Sequence, residues 1–504
     1  MKREKGEGRR EKAKKGFLPF AVSLVPFLVL ATANSAGYRY GASDLAFYGP
    51  AVMLHLDPSL FPTGRAIIDA QAGLTLMDET VGTLARFTTT DFPLLFLALY
   101  LASLALLAAG AAAIGQTLYV HRASTIALLM ALTLRHAIPR SGTNTLEGYF
   151  HPRQLAFAFG VIAIAAFLRD RRVASGAALA GAALLHPTTT LWFAIWLGTA
   201  SLFCYRKARW RARFLFVPLA GACLVVWALL SGPLAGRLIT MDAEWLSLIG
   251  EKEYLFPLRW PLSAWVMNLG YVAIIVFLYN RRARAGLLHI RETALVAGAV
   301  ALVVVFAIGV LLSALPLALA VQLQPARVFW MLDLLTMIYV VWALADGNPR
   351  RTRRPVVCAV VFTSLALVRG LYVMRVEFPN RPLFEVRVPG DWGRVMDFAR
   401  STPRETQWLA DPSHAARYGT SLRMAGRRDV FVEGIKDTAI AMYDRTIALR
   451  TRRRLDEVRD FPNISPQRAA ELAEAYGLNY LIVERDLSLP RVFASGDLRV
   501  YRLR

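Results

Sequence analysis

The feature that most constrains this chain is the alternation of long apolar segments with short loops that are alternately rich and poor in arginine. Eleven such segments run roughly over 17–35, 92–115, 124–138, 154–168, 174–186, 189–205, 214–231, 261–279, 293–315, 328–345 and 356–373. Several are shorter than the ~20 residues that cross a bilayer straight on, so their ends are soft. At 504 residues and 56% hydrophobic, the chain carries more apolar surface than one soluble domain can bury. It reads as an integral membrane protein.

Charge then orients the segments. With the amino terminus in the cytoplasm, the inner loops 1–15, 116–123, 169–173, 206–213, 280–292 and 346–355 hold 25 Lys or Arg. The outer loops 36–91, 139–153, 232–260 and 316–327 hold nine over a greater length, which is the bias of the positive-inside rule. This assignment splits the stretch around His186-Pro187 into two short helices. A single kinked span there would put the basic clusters RKARWRAR, NRRAR and NPRRTRRP outside. The formal charge of +23 is spread over such clusters rather than on one basic face, so nucleic acid is not an expected partner. Cys204, Cys223 and Cys358 lie in or beside apolar segments without metal-ligand spacing, so neither a disulfide framework nor a zinc site is expected. The first segment follows a basic start and ends in small residues like a signal peptide, but its length favours an uncleaved helix. Either way residue 36 is outside.

The fold expected is therefore a polytopic α-helical membrane domain, residues 1–374, with about eleven spans and a long first outer loop, 36–91. After 374 no span-length run remains, and residues 375–504 read as a small extracytoplasmic α/β domain. Its helix-like stretches (DWGRVMDFARS, TAIAMYDRTIALRTRRRLDEV, SPQRAAELAEAYG) alternate with strand-like ones (WLA, DVFVEG, NYLIVE, RVFAS, LRVYRL). Asp391 and Ser465 are candidate caps of the first and last helices. The expected location is the inner or plasma membrane.

Unusual polar residues gather on the outer side, where ionisable groups at membrane depth are costly and mark candidate sites. Asp44, nine residues past the first segment in SDLAFYGP, is either an N-cap of the amphipathic stretch it begins or a carboxylate general base. Tyr48 belongs to the same stretch, which could lie in the membrane interface. LEGYFHPRQ brings Glu147, Tyr149, His151 and Arg153 together, as an interfacial anchor or as a site for a phosphate or sugar. His186 in HPTTT ends a helix before Pro187 or donates to a phosphate. In QLQPARVFWMLDLL, Gln324 and Arg327 precede the tenth segment, where arginine snorkels to headgroups or pairs with an anionic lipid-linked substrate. Asp333, on another helical face, is expected to turn into the bundle.

A cytoplasmic amino terminus, an early Asp in a long first outer loop, ten or more spans and an outer carboxy-terminal domain together resemble the GT-C superfamily. That group includes protein mannosyltransferases, aminoarabinose transferases and oligosaccharyltransferase catalytic subunits. The architectural resemblance covers the whole chain; the motifs that carry it are SDLAFYGP, HPRQ, HPTTT and QPAR. It implies an inverting membrane glycosyltransferase that takes sugar from a polyprenyl-phosphate donor to a glycan, lipid or protein acceptor. By the same resemblance, Asp44 matches the general base and Arg327 a ligand of the donor phosphate. Tyr48, Glu147, His151, Arg153, His186 and Gln324 would bind substrate, membrane lipids would surround the site, and no cofactor is indicated. The chain departs from familiar patterns: Ser43 rather than a second acid precedes Asp44, no WWDYG-like signature occurs, and no paired metal ligands appear, which leaves a divalent metal open. Competing readings are a transporter or flippase of lipid-linked saccharides, an O-antigen ligase or polymerase, and a non-catalytic membrane scaffold.

Overall fold

The computed structural model describes residues 23–205, 223–348 and 350–504. The basic start, the 206–213 cluster and the first half of the 214–231 segment, residues 214–222, lie outside these residues. Five described helices are long and apolar enough to cross a membrane: Phe92–Leu118, Leu262–Arg284, Glu292–Ala314, Ala318–Asp346 and Arg353–Glu377. Shorter apolar helices cover Ser23–Asn34, Arg122–Leu132, Pro152–Leu168 and Arg172–Leu185, and a further helix runs Pro187–Tyr205. Helices thus occupy most of each apolar segment where it is described, except that 124–138 is helical only to Leu132 and ends in a short strand, and the break at His186-Pro187 is real. Proline has no N–H to continue the first helix but suits the first turn of the second.

Small residues set the packing. In apolar surroundings helices associate by close van der Waals contact rather than by excluding water from one another. A Cβ on Gly298 would lie 2.2 Å from the Trp196 carbonyl oxygen, so only glycine lets the Glu292–Ala314 and Pro187–Tyr205 helices meet there. Trp196 Nε1 crosses the same contact to donate to the Leu295 carbonyl at 2.8 Å. Outward-facing Val266, Phe277, Val360 and Val368 stay exposed, as side chains facing lipid would be.

The loops sort into two sets by contact. At one end of the bundle, His121 Nδ1 meets Asp346 Oδ1 at 2.6 Å, Arg169 donates to the Gln116 side chain at 3.3 Å, and Arg291 pairs with Asp170 at 2.5 Å. These contacts join 116–123, 169–173, 280–292 and 346–355, the basic set. At the other end, 36–91, 139–153, 232–260 and 316–327 come together beneath the carboxy-terminal residues.

Those residues form a five-stranded sheet with helices on both faces. The strands, numbered along the whole chain, include two minor pairs: β1 (Tyr38–Arg39) runs parallel to β4 (Phe384–Glu385), and β2 (Ala137–Ile138) antiparallel to β3 (Thr143–Asn144). The main sheet contains β5 (Gln407–Leu409), β6 (Asp429–Val430), β7 (Tyr480–Val483), β8 (Arg491–Ser495) and β9 (Leu498–Arg502), in the order β6-β5-β7-β9-β8. β6, β5 and β7 are parallel, and β9 and β8 add as an antiparallel pair. Each strand falls on a stretch read as strand-like. One face packs Trp408, Tyr480, Ile482 and Val500 against Trp392, Val395, Met396 and Ala399 of the Gly390–Ser401 helix. The other packs Leu409, Leu481 and Val483 against Val458, Ala469 and Leu472.

Two local expectations need correction. Asp391 does not cap Gly390–Ser401; it lies inside the first turn, its carboxylate accepting from Ser495 Oγ at 2.7 Å. The long stretch from Thr438 is two helices, Gly434–Ile440 and Arg445–Glu457, because Asp444 caps the second by accepting from the Ile447 N–H at 3.0 Å. Ser465 does cap Pro466–Tyr476.

The sheet unit is bolted to the outer loops. Thr420 donates to the Tyr40 carbonyl at 3.0 Å, the Thr63 N–H to Asp429 at 2.8 Å, Trp245 Nε1 to the Ala441 carbonyl at 2.8 Å, and Gln322 to the Met442 carbonyl at 3.0 Å. A shared apolar cluster joins Ile67, Trp245, Ile249 and Leu255 to Ile440, Met442 and Ile447. The Leu45–Leu56 helix is consequently buried along most of its length rather than lying in the interface, and Gly49 meets Met424 of the sheet unit. The Gly434–Ile440 helix is itself anchored by a buried two-pronged pair, Arg423 to Asp437 at 2.5 and 2.9 Å. Removing one partner leaves an uncompensated buried charge. Arg423→Ala should therefore destabilise the protein by about 3–5 kcal/mol, read as a lower thermal unfolding temperature in detergent with the bundle's helical content retained.

Candidate functional site

Where the outer loops meet the sheet unit they enclose a cavity of about 520 Å³. Asp44, Tyr48, Glu147, His151, Arg153, His186, Gln324 and Arg327 all line it. Residues separated by up to 283 positions of sequence, Asp44 to Arg327, thus share one wall because the outer loops share one end of the bundle.

Asp44 occupies the position before the Leu45–Leu56 helix, yet its side chain makes no cap hydrogen bond. Capping is therefore not what it does. Ser43 just before it sits at φ 52°, a left-handed conformation uncommon outside glycine. The carboxylate instead receives Lys436 Nζ on Oδ1 at 2.7 Å and meets His151 Nε2 through Oδ2 at 3.0 Å. Lys436 also donates to Ser43 Oγ at 3.1 Å. The other nitrogen of His151, Nδ1, accepts the Arg153 N–H at 3.1 Å. That acceptor role leaves the ring proton on Nε2, from which neutral His151 donates to Asp44. Burial pushes the Asp44 carboxyl up, but the Lys436 ammonium, the His151 hydrogen bond and the Arg153 charge outweigh it and hold Asp44 well below the usual carboxylate range. Burial, then the Arg153 charge, push His151 down to about 3 against the pull of Asp44. An ionised carboxylate beside a neutral imidazole results.

Arg153 and Tyr149 are buried in the cavity wall, not spread at headgroup depth as interfacial anchors. Arg153 is committed to Glu147 at 3.0 Å and to the Gly142 carbonyl at 3.2 Å, and lies over the Trp330 ring at 5.9 Å. Burial raises the Glu147 carboxyl, with Arg153 and Arg135 opposing. This pair props the loop that carries His151. His186 serves the helix junction, its Nδ1 accepting the Thr189 N–H at 3.2 Å, while its ring stands edge-on to His151 at 6.3 Å. The Tyr48 ring packs 5.4 Å from His151. Gln324, at φ 53°, turns the chain into the short Pro325–Arg327 helix, and its Oε1 is buried without a partner among the described residues. The Arg327 guanidinium makes neither a hydrogen bond nor an ion pair among the described residues, and its Nε is buried.

Asp78 and Glu79, the adjacent acids of the first loop, lie in the Met77–Thr88 helix and do not reach the cavity. Asp57 binds Ser59, and Asp242 caps the Ala243–Ile249 helix. Asp333 is buried and pairs with His136 at 3.2 Å.

Sequence reasoning missed Lys436 and Lys252, which both line the cavity. One signal could have found them: of eight lysines, five fall in the first 15 residues, and only 207, 252 and 436 follow in an otherwise arginine-based chain. With Arg39, Arg135, Arg153, Arg327 and Arg381, they give the wall seven cations against the two carboxylates Asp44 and Glu147. Such a concavity concentrates anions. Among the described residues no group of three His, Cys, Asp or Glu side chains could hold a metal ion.

No family model matches this chain, and no curated protein does. Two solved structures are similar to it along most of its length. The cryo-EM structure of the arabinofuranosyltransferase AftD from mycobacteria is 17% identical over 96% of this chain and 40% of its own, with a TM-score of 0.49. The apo crystal structure of the Archaeoglobus fulgidus oligosaccharyltransferase is 13% identical over 93% of this chain and 58% of its own, with a TM-score of 0.28. The chain spans less than two thirds of either protein, and likeness at this level speaks to neither activity nor substrate.

The histidine sets an acid limit on stability. Folded His151 resists a proton that the unfolded chain accepts below the ordinary value of 6.5, so its contribution is complete above that pH and is lost as pH falls towards about 3. His151→Gln should flatten the fall of unfolding temperature over that window, by at most the ~1.4 kcal/mol per pH unit of one proton.

Proposed function

We propose that this chain is a membrane glycosyltransferase of the GT-C type, moving a sugar from a polyprenyl-phosphate donor to a hydroxyl of an extracytoplasmic acceptor. The observation that carries the reading is one cavity holding an ionised carboxylate, Asp44, together with a guanidinium, Arg327, that has no ion-pair partner among the described residues. A neutral ligand would leave its buried Nε without a counter-charge; a lipid-linked phosphate supplies one. The Pro325–Arg327 turn opens directly into the buried Val328–Val341 helix, so the cation stands where a lipid headgroup meets the bundle.

In the reaction proposed, the acceptor hydroxyl oxygen attacks the anomeric carbon from the side opposite the phosphate and inverts its configuration. The bond from that carbon to the phosphate oxygen breaks, and its electron pair leaves with the polyprenyl phosphate. The hydroxyl proton passes to Asp44. Oxygen–carbon bond formation makes that proton acidic late in the step, so a carboxylate of low basicity suffices once it lies within hydrogen-bond reach. Arg327 and Lys252 stabilise the growing phosphate charge from fixed positions, an electrostatic effect that needs no reorganisation. His151 holds Asp44 in place, the Glu147–Arg153 pair holds His151, and Tyr48, His186 and Gln324 line the sugar pocket. The enzyme faces away from the cytoplasm across the inner or plasma membrane, and residues 375–504 form the domain that closes the cavity.

Transfer from a panel of polyprenyl-phosphate sugars in membranes tests this. Asp44→Asn should lower kcat by about 10²–10⁴-fold with KM little changed, and Arg327→Ala should lower kcat/KM on the order of 10²-fold. Activity of Asp44→Asn equal to the parent protein rejects the base assignment.

A further inference from the structure

We infer that Lys436, carried by the sheet unit, is a positioning residue of the reaction proposed above: it fixes the carboxylate of Asp44 and keeps it charged, so that the catalytic base is complete only when that unit is seated. The inference rests on the Asp44 assignment and goes beyond it, since among the described residues no cation of the bundle pairs with Asp44 in place of this lysine.

Geometry carries it. Lys436 Nζ reaches Asp44 Oδ1 at 2.7 Å and Ser43 Oγ at 3.1 Å, with its side chain largely buried. His151 occupies the other carboxylate oxygen at 3.0 Å. One oxygen is therefore tied to the bundle through His151 at the head of the Pro152–Leu168 helix, and the other to the sheet unit through the Gly434–Ile440 helix. The two contacts leave further lone pairs on the carboxylate for an acceptor hydroxyl, but they fix its plane.

The mounting of Lys436 is rigid. Asp437, the next residue, is clamped by Arg423 and also accepts the Glu433 N–H at 3.0 Å. The Gly434 N–H donates to the Pro412 carbonyl at 2.8 Å, tying the helix start to the loop after β5. Ile440 and Ala441 then pack into the cluster shared with Trp245 and Ile67. A long flexible amine mounted this firmly is not a surface lysine that happens to find an acid.

The groups facing Asp44 can be enumerated. From the sheet unit come Lys436 and Tyr443; from the 139–153 loop and its helix, Glu147, Tyr149, His151 and Arg153; from its own helix, Tyr48; from the 232–260 loop, Lys252 and Tyr254. Of the cations, Arg153 is spent on Glu147, and Lys252 makes no hydrogen bond or ion pair with Asp44. Among the described residues Lys436 alone touches the carboxylate as an ion. Without it the largest influence opposing burial is gone, and the balance moves towards the protonated acid, which cannot accept a proton from a hydroxyl.

Two readouts test this on the full-length protein in detergent or nanodiscs. The first needs no substrate: infrared difference titration of the protonated-carboxyl band, assigned to Asp44 by its loss in Asp44→Asn. In the parent protein Asp44 should show no protonation from about pH 8 down to about pH 5. In Lys436→Met an Asp44 band should enter that range, and Lys436→Arg should remove it again. The second is the pH profile of kcat/KM for transfer. Lys436→Met should gain an acid limb falling about tenfold per pH unit that the parent profile lacks, whereas a merely structural loss would lower the profile by one factor at every pH without changing its shape. An Asp44 that stays ionised in Lys436→Met overturns the inference. If the band moves as expected while no variant or parent transfers any sugar, the glycosyl-transfer reading fails and the electrostatic role of Lys436 stands.

Discussion

A carboxylate largely withdrawn from water into a cavity wall must be paired, and the pairing of Asp44 organises the end of the molecule where the arginine-poor loops meet the sheet unit. Its partners come from distant parts of the chain: His151 from the loop before a bundle helix and Lys436 from a helix of the sheet unit. Each partner needs support of its own. His151 keeps its proton on Nε2 because Nδ1 is taken by a backbone N–H, and its loop is stiffened by the Glu147–Arg153 pair. Lys436 stays in place because Arg423 and Asp437 anchor its helix. Burying one charge has thus drawn in a network in which each member depends on another, the condition under which polar groups in a low-dielectric interior rigidify a structure.

The same economy of charge explains the one cation left over. Six of the cavity's seven cations have ion-pair partners, carbonyl contacts or an edge near solvent, while among the described residues Arg327 alone of them has a buried nitrogen with no partner. In the reaction proposed, the donor phosphate is what completes it.

Much of this was legible in the sequence, for reasons that differ by level. Apolar segments declared themselves because a lipid-facing helix must be apolar over its whole length. Their alternation survived in the contacts: loops rich in arginine join one another through His121–Asp346 and Arg291–Asp170, and poor ones join around the cavity. Strands such as NYLIVE were legible because a sheet buried on both faces needs a continuous apolar run. Less legible were the roles of single residues. Asp44 and Asp78 look alike as acids beginning helical stretches in one loop, yet one lines the cavity and the other does not. Asp391 looked like a cap and is not one, because Ser495 from β8 reaches it first.

Hydropathy and charge are local properties that each segment carries alone, so the class of protein, the alternation of its loops and the polar residues of the arginine-poor loops could be read from the sequence. Only the tertiary structure decided which of those residues meet, that the Leu45–Leu56 helix is buried between bundle and sheet, and that a lysine 392 positions from Asp44 supplies its counter-charge. Those choices depend on how long loops and a separate sheet unit pack against one another. No local pattern records that geometry, since a salt bridge is fixed by where two backbones come to rest and not by the residues on either side of each partner.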